Sequence, residues 1–236
     1  MVIGILQPGY LPWLGFFEQL ARSDVFVIYD DVQYDKHGWR NRNRIKTPQG
    51  AQWLTVPVQV SLKQAPLIHE VRIDNKADWR KKHLLSIRHA YARAPYFGRV
   101  FPVLEEALNR EWELLIDLDL HMIVKMAEML GIAGPKIVRS SGVNVTGGTQ
   151  ERLLALCKHF GADTFYEGAS GRDYIDERLF SEQGVRVVFQ EYSHPSYRQL
   201  HGEFISHLSA IDLLFNHGEE SLSILMNKTD TEVTHS

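Results

Sequence analysis

The residues that could do chemistry in this chain lie in a few loop segments, and the first follows the apolar run Val2 to Leu6. Gln7 and Tyr10 stand in a Pro/Gly-rich turn, and Trp13 opens an apolar helical pattern. The order predicts a buried strand, a tight turn and a helix N-terminus, whose amides can hold an anion. An ordinary strand-to-helix turn would explain the apolar residues equally well, but it accounts less well for Gln7 and Tyr10.

A basic ladder forms the second segment, preceded by Trp39. Its members are Arg40, Asn41, Arg42, Asn43, Arg44, Ile45 and Lys46. In an extended chain the basic side chains would project from one face and the asparagines from the other. A one-sided row of guanidinium groups suits phosphate or carboxylate, and Trp39 could stack on a base or sugar ring. A solvated edge strand that uses charge to prevent edge pairing is the alternative.

Two later loops add donors and possible proton acceptors. Ser170 and Arg172 lie in a Gly-rich loop after a short apolar run, where backbone amides can approach an anion. His194 lies in a loop past the next apolar run, and a loop histidine can exchange protons near neutral pH. Asp30 follows the apolar run Val25 to Tyr29, and it is the second candidate base. A triad of Ser209, His194 and Asp212 is conceivable, although no nucleophile-elbow pattern accompanies it.

The pattern around these loops is an alternation of strands and helices, which predicts a Rossmann-like α/β fold with a parallel sheet, an inserted β-hairpin and a helical subdomain. Extended runs on both sides of Pro48 and Gly50 indicate the hairpin, and residues 66–73 indicate one further strand. We expect residues 1–75 to form the first half of the α/β domain and residues 76–134 a helical insertion of three helices. Residues 135–227 would form the second half, followed by a disordered tail over 228–236.

Composition excludes several classes of protein. The chain has 236 residues, 44% hydrophobic and 23% charged, with a formal net charge of -3, which argues against a generic nucleic-acid binder. It lacks an apolar run of membrane-spanning length and a leader pattern, so we expect a cytoplasmic protein. Cys157 is the single cysteine and lies in an apolar helical pattern, where a buried side chain is the ordinary interpretation. The histidine spacing favours no metal, and the residues indicate no particular cofactor or oligomeric state.

Together, four segments resemble the WbqC-like family, and they run from the N-terminal turn to about Gly218. The segments are Gln7 to Phe17, Tyr29 to Tyr34, Gly38 to Asn43, and Leu208 to Gly218. The resemblance implies an association with bacterial O-antigen and surface-polysaccharide synthesis. It also implies a transferase role, in which glycine or another aminoacyl group is attached to a sugar. It brings no set of catalytic residues with it.

A more distant similarity connects the first turn and the segment Ser170 to Ile175 with pantothenate-synthetase-like nucleotidylyl transferases. Such enzymes carry a His-x-Gly-His motif after the first strand, and Pro12 and Phe16 stand roughly where its histidines would be. Those imidazoles bind the triphosphate, so their absence weakens this similarity.

Three functions follow as hypotheses. The first is an acyl or aminoacyl transferase, with glycyl as one transferred group, that acts on an amino sugar or sugar nucleotide in O-antigen or surface-polysaccharide biosynthesis. The second is a non-catalytic protein that binds a sugar nucleotide, and the third is a nucleotidylyl-transferase-like enzyme that lacks the histidine pair. In each, an anionic small molecule is the expected partner, and the first loop, the basic ladder and the Ser170 loop are expected to share one pocket.

Overall fold

The structure is a computed structural model that describes residues 1–60, 66–143 and 145–227. In chain order its strands are β1 (Val2–Leu6), β2 (Val25–Ile28), β3 (Arg42–Thr47), β4 (Gly50–Thr55), β5 (Val58–Gln59), β6 (Arg72–Ile73), β7 (Lys136–Arg139), β8 (Thr164–Glu167) and β9 (Arg186–Phe189). Its helices are α1 (Leu14–Ala21), α2 (Trp79–Tyr91), α3 (Phe97–Asn109), α4 (Leu115–Leu130), α5 (Thr149–His159), α6 (Glu177–Ser181), α7 (Ile211–His217) and α8 (Ser221–Leu225). None of the described helices is both long and apolar enough to cross a bilayer.

Five strands form one parallel sheet in the order β7-β2-β1-β8-β9, which confirms the predicted Rossmann-like α/β fold. β1 is central, and its Ile3 lies beside Val25 of β2 and Phe165 of β8. The chain first builds the sheet outward from β1 to β7 and later continues from the other side of β1. In sheets of this kind, ligands bind outside the carboxyl ends of the strands near the point where the order reverses.

The strands are apolar throughout because helices cover both faces of the sheet. All four residues of β2 are buried, and they alternate between two core clusters. Phe26 belongs to the cluster that contains residues of α1, α2, α3, α4 and α7, whereas Val27 belongs to the cluster that contains residues of α5 and α6. The face that α1 covers therefore carries most of the helices and the larger core.

The predicted hairpin is present as a separate two-stranded sheet, β3 paired with β4 through a turn at Pro48 and Gln49. Its inner residues Ile45 and Leu54 are buried in the larger core. The three helices expected between residues 76 and 134 are α2, α3 and α4, and Gly131 ends α4 in the left-handed conformation that favours glycine.

Two elements differ from the sequence prediction. In the segment 66–73, only Arg72–Ile73 forms a strand, because Ile68–Glu70 turns into a 3-10 helix whose Glu70 carboxylate accepts from the Leu67 amide. The sequence pattern near residues 173–183 predicts a helix, but the helix there is limited to α6, which begins after Asp176 caps the amide of Arg178. The predicted disordered tail over 228–236 lies outside the described residues.

Candidate functional site

A cavity of about 340 Å³ lies at the carboxyl end of β1, between the first loop and the hairpin. Its lining consists of Leu6, Gln7, Gly9, Pro12, Trp13, Phe16, Trp39, Arg40, Asn43 and His207. Most of these side chains are apolar or aromatic, and a few polar side chains interrupt the apolar lining. That balance is typical of sites that bind small organic ligands. We call this cavity the first-loop pocket.

Hydrogen bonds between the first loop and the hairpin shape the pocket. The Asn43 side chain donates to the carbonyl of Leu11 at 2.7 Å, and the amide of Tyr10 donates to the carbonyl of Arg40 at 2.9 Å. Leu11 has a φ of 47°, a conformation that costs energy for a residue other than glycine. Gly9 approaches the hairpin so closely that a Cβ would lie 2.8 Å from the carbonyl oxygen of Trp39. These contacts fix the loop at a defined distance from the ladder.

Tyr10 itself does not line the pocket, although the sequence indicated it as a ligand contact. Its side chain is fully buried, and its hydroxyl lies 3.0 Å from Nδ1 of His83. Burial lowers the pKa of His83 to about 4, even though a bond to the Thr55 backbone opposes the shift. The imidazole is therefore neutral at pH 7 and forms a hydrogen bond with the Tyr10 hydroxyl through Nδ1. Tyr10 connects the first loop to α2.

Trp13 reaches the pocket because residue 15 has no side chain. The Trp13 ring lies across the backbone of Gly15, where an added Cβ would come within 2.2 Å of the ring. The position of this aromatic wall therefore depends on a glycine in the first turn of α1.

Gly15→Ala is expected to expel the Trp13 ring from its place and lower the free energy of unfolding by about 1–3 kcal/mol, the range for overpacked sites. Tryptophan fluorescence and thermal unfolding would show the change. Gly98→Ala is the matched control, because nothing lies within 4 Å of a Cβ at Gly98 in α3. An alanine at 15 that leaves both signals unchanged would contradict this role of Gly15.

Arg40 supplies the positive charge of the pocket. Its Nη1 donates to the carbonyl of Pro8 at 2.8 Å, while its Nε has no partner among the described residues. Burial lowers the pKa of Arg40, and the negative charges of Asp119 and Asp35 oppose that shift. Since an arginine remains charged at physiological pH, the pocket contains a partly desolvated cation whose Nε–H is available to a ligand.

The remainder of the basic ladder divides between the outside and the interior. In β3, Arg42 and Arg44 share the outer face, as the sequence predicted, and Asn43 and Ile45 the inner one. Lys46 does not lie on the outer face with them, although the sequence pattern predicted that it would. It is buried, and its ammonium donates to the carbonyl of Gly202 at 3.2 Å.

Asn41, just before β3, holds the hairpin base instead of facing a ligand. Its side chain donates to the carbonyl of Val56 at 2.8 Å, and the Val56 amide donates back to its carbonyl.

Arg42 and Arg44 lie against two exposed indole rings. The ring centroids of Trp39 and Trp53 are 5.0 Å apart. The Arg44 guanidinium carbon is 5.6 Å from each ring, and that of Arg42 is 4.9 Å from Trp53. Trp39 belongs both to this cluster and to the pocket wall, so a charged, aromatic surface extends outward from the pocket.

His207 is a polar residue of the pocket that the sequence pattern did not indicate. Its ring stacks on Trp13 with centroids 5.3 Å apart, and its Nδ1 lies 2.8 Å from the Ser206 hydroxyl. Arg44 donates to its carbonyl at 3.3 Å, which brings this loop to the hairpin. The available signal was its place immediately before the segment Leu208 to Gly218.

His194, the predicted base, lies behind His207, with ring centroids 5.0 Å apart. Its Nδ1 donates to the carbonyl of Pro195, and its buried Nε2 has no partner among the described residues. Burial lowers the pKa of His194, a bond to the Pro195 backbone opposes the shift, and the charge of His207 adds to it. The ring packs behind the lining of the pocket, next to His207 and Trp13.

Asp30, the other predicted base, is fully buried outside the pocket lining. Its carboxylate accepts from Nε of Arg139 at 2.6 Å, from the Ser140 hydroxyl at 3.1 Å, and from the Ser141 amide and hydroxyl at 2.9 Å each. Burial raises the pKa of Asp30, but the bonds from Ser141 and Arg139 outweigh burial and leave it below its ordinary value. This arrangement favours a structural clamp between the ends of β2 and β7.

The loop with Ser170 and Arg172 stays apart from the first-loop pocket, since neither residue contributes to its lining. Both are exposed, and Arg172 pairs with Glu191 at 2.8 Å. Nearby, burial raises the pKa of Glu167 to about 7, although hydrogen bonds from Tyr174 and the Gly168 backbone oppose it. The shared pocket expected of three segments therefore contains two of them, together with the His207 loop.

The conceivable triad is not assembled. Asp212 accepts hydrogen bonds from the hydroxyls of Tyr91 and Tyr197 and from the Gln199 amide, at 2.8 to 3.1 Å. The Ser209 hydroxyl is buried and accepts from the Ile211 amide. Among the described residues, no carboxylate lines the first-loop pocket. The same residues contain no group of three or more His, Cys, Asp or Glu arranged to hold a metal ion.

Comparison with known proteins assigns the chain to a family without assigning it a reaction. The model of the WbqC-like protein family matches residues 7–224. A Mycobacterium tuberculosis protein named "Uncharacterized protein Rv1507c" is 39% identical over 221 residues, which cover 93% of this chain and 95% of that protein. No solved structure gives a significant match. By the extent of both matches, the chain belongs to the WbqC-like protein family.

Proposed function

We propose that the chain is a transferase that binds an anionic small molecule, a sugar nucleotide, in the first-loop pocket. It would attach an acyl or aminoacyl group, such as glycyl, to the amino group of a sugar in O-antigen or surface-polysaccharide synthesis. The observation that carries this proposal is the meeting of Arg40, two indole rings and His207 around one cavity at the carboxyl end of β1.

The pocket and its outer surface suit different parts of such a ligand. Trp13 and Trp39 offer aromatic faces for a sugar or base ring, while Gln7 and Asn43 can orient its polar groups. Arg40 would hold an anionic group inside, and Arg42 and Arg44 would hold phosphates at the rim. A cavity of about 340 Å³ holds one ring with its substituents, so the remainder of a sugar nucleotide would lie across the indole rings outside.

His207 is the residue we assign to proton transfer in this proposal. An amine must be neutral to attack, which is why a base is needed. In the reaction, the amine nitrogen forms a bond to the carbonyl carbon of an activated acyl donor, and the bond from that carbon to the leaving group breaks. The leaving group departs with that electron pair, and the amine proton passes to the imidazole. His207 lines the pocket, whereas Asp30 is engaged by four donors.

Mass spectrometry of the protein incubated with mixed sugar nucleotides, ATP and glycine tests the proposal. We expect a product heavier than an amino-sugar nucleotide by the transferred group, and we expect Arg40→Met to abolish it. Arg178→Met is the control, because Arg178 is an exposed side chain of α6 that pairs with Glu182. Equal product from wild type and Arg40→Met would remove Arg40 from the site.

A non-catalytic sugar-nucleotide-binding protein is the second candidate, and one observation favours it: the described residues that line the pocket are mostly apolar and include no carboxylate. A binder would show a thermal shift with a sugar nucleotide but no new mass, at any combination of donors. The nucleotidylyl-transferase alternative gains nothing from the geometry, because Pro12 and Phe16 line the pocket where its two histidines would be needed.

A further inference from the structure

The carboxyl of Asp119 on α4 is fully buried, its charge acts on Arg40, and it has no hydrogen-bond donor among the described residues. Neither of its oxygens accepts a hydrogen bond from any residue of the described ranges. The buried hydroxyl of Tyr34 and the Nε of Arg40 likewise lack partners there. Such groups are rare inside proteins, because a buried charge without hydrogen bonds is costly. The Nε of a pocket residue and two groups whose charges act on that residue therefore call for a functional explanation.

Among the described residues, Arg40 is the cation whose charge acts on Asp119. In turn, the charge of Asp119 raises the pKa of Arg40 more than the charge of Asp35 does. The charge of Asp119 also acts on two further titratable groups. They are Tyr10 in the first loop and Tyr34 in the segment after β2. Burial raises the pKa of both tyrosines, that of Tyr34 to about 12, and the charge of Asp119 adds to each shift.

We propose that Asp119 sets the affinity of the first-loop pocket for anions by controlling how much of the Arg40 charge a ligand encounters. This inference rests on the proposed function and names a residue outside the pocket lining that determines its specificity. When the carboxyl is protonated, Arg40 is an uncompensated cation that binds a phosphate or another anion strongly. When it is ionised, its negative charge cancels much of that attraction.

Proton binding and anion binding then favour each other. Burial raises the pKa of Asp119 well above its ordinary value, and the positive charge of Arg40 opposes the shift. An anion beside Arg40 weakens that opposition and raises the pKa further, so the protein takes up a proton as it binds. Reciprocally, the affinity for an anion falls as the pH rises through the titration of Asp119.

Sulfate is the probe for a test, because it keeps its charge between pH 6 and 9. Its binding can be followed through the fluorescence of Trp13 and Trp39. For wild type we expect the Kd for sulfate to rise roughly tenfold from the pH at which Asp119 is protonated to the pH at which it is ionised, the size expected of one charge acting through the protein interior. In Asp119→Asn the neutral side chain should keep binding tight and remove the part of the pH dependence that Asp119 causes, so that any remaining dependence belongs to His207, the ionisable imidazole of the same pocket.

Two controls separate the possible failures. Asp35→Asn, which removes an exposed carboxyl that also acts on Arg40, should keep the wild-type pH profile. Asp119→Leu repeats the test with an apolar side chain should the asparagine variant not fold. A wild-type profile in both neutral variants would overturn the role of Asp119 alone. Sulfate binding that is absent in wild type at every pH, or unchanged in Arg40→Met, would overturn the anion pocket itself.

Discussion

Asp30→Ala is expected to lower the free energy of unfolding by about 3 kcal/mol. The substitution removes the buried acceptor of the Arg139 Nε and of the Ser141 amide and hydroxyl, whereas Arg139 keeps Asp117 and the Ser140 hydroxyl keeps Asp31 as a partner. Breaking a buried ion pair costs about 3–5 kcal/mol, and the lower end applies because the Arg139 side chain is 32% exposed. Urea denaturation of the two proteins at pH 7 measures the difference.

Asp117→Ala is the matched control for this experiment. Asp117 pairs with the same guanidinium at 3.7 Å, but its side chain is 46% exposed. Pairs of that kind contribute about 1 kcal/mol or less. If both variants lose equal stability, the clamp between β2 and β7 is not the reason for the burial of Asp30.

The clamp also predicts how stability depends on pH. The pKa of Asp30 is lower in the folded than in the unfolded protein, so its contribution is complete above the unfolded value of about 4. It is lost as the pH falls from there through the folded pKa. In acid, wild type and Asp30→Ala should therefore converge in stability, and a difference that persists at low pH would contradict the assignment.

His207→Phe is expected to lower kcat by about 100-fold or more, the range for loss of a positioned base. The phenyl ring can keep the stacking on Trp13, so substrate binding and folding should change little. Steady-state kinetics with the donor and acceptor that yield product would show whether kcat falls while KM is retained.

Two other histidines make this result specific. His194→Phe should have a smaller effect, because His194 stacks behind His207 and does not line the pocket. His89→Gln changes an exposed residue of α2 and should behave as wild type. Turnover that survives His207→Phe but not His194→Phe would return the base to the residue that the sequence first indicated.

The sequence by itself determined the framework of this protein. Apolar runs of four or five residues that alternate with helical patterns are sufficient to predict a covered parallel sheet, because such strands must be buried on both faces. The hairpin followed from two extended runs around Pro48 and Gly50, and the first loop from its place after the first strand. Strand order was beyond the sequence, since it depends on which helices pack on which face.

Only the tertiary structure decided which polar residues share a pocket. Arg40 and Arg42 are equivalent in the sequence pattern, yet one enters the cavity and the other faces indole rings outside. Asp30 stands at a strand end, where catalytic groups are common, but donors from residues 139–141 surround it. Contacts between elements far apart in the sequence place His207 beside Trp13 and bring the charge of Asp119 to act on Arg40. Local spacing carries no record of such contacts, because they arise from the packing of distant elements.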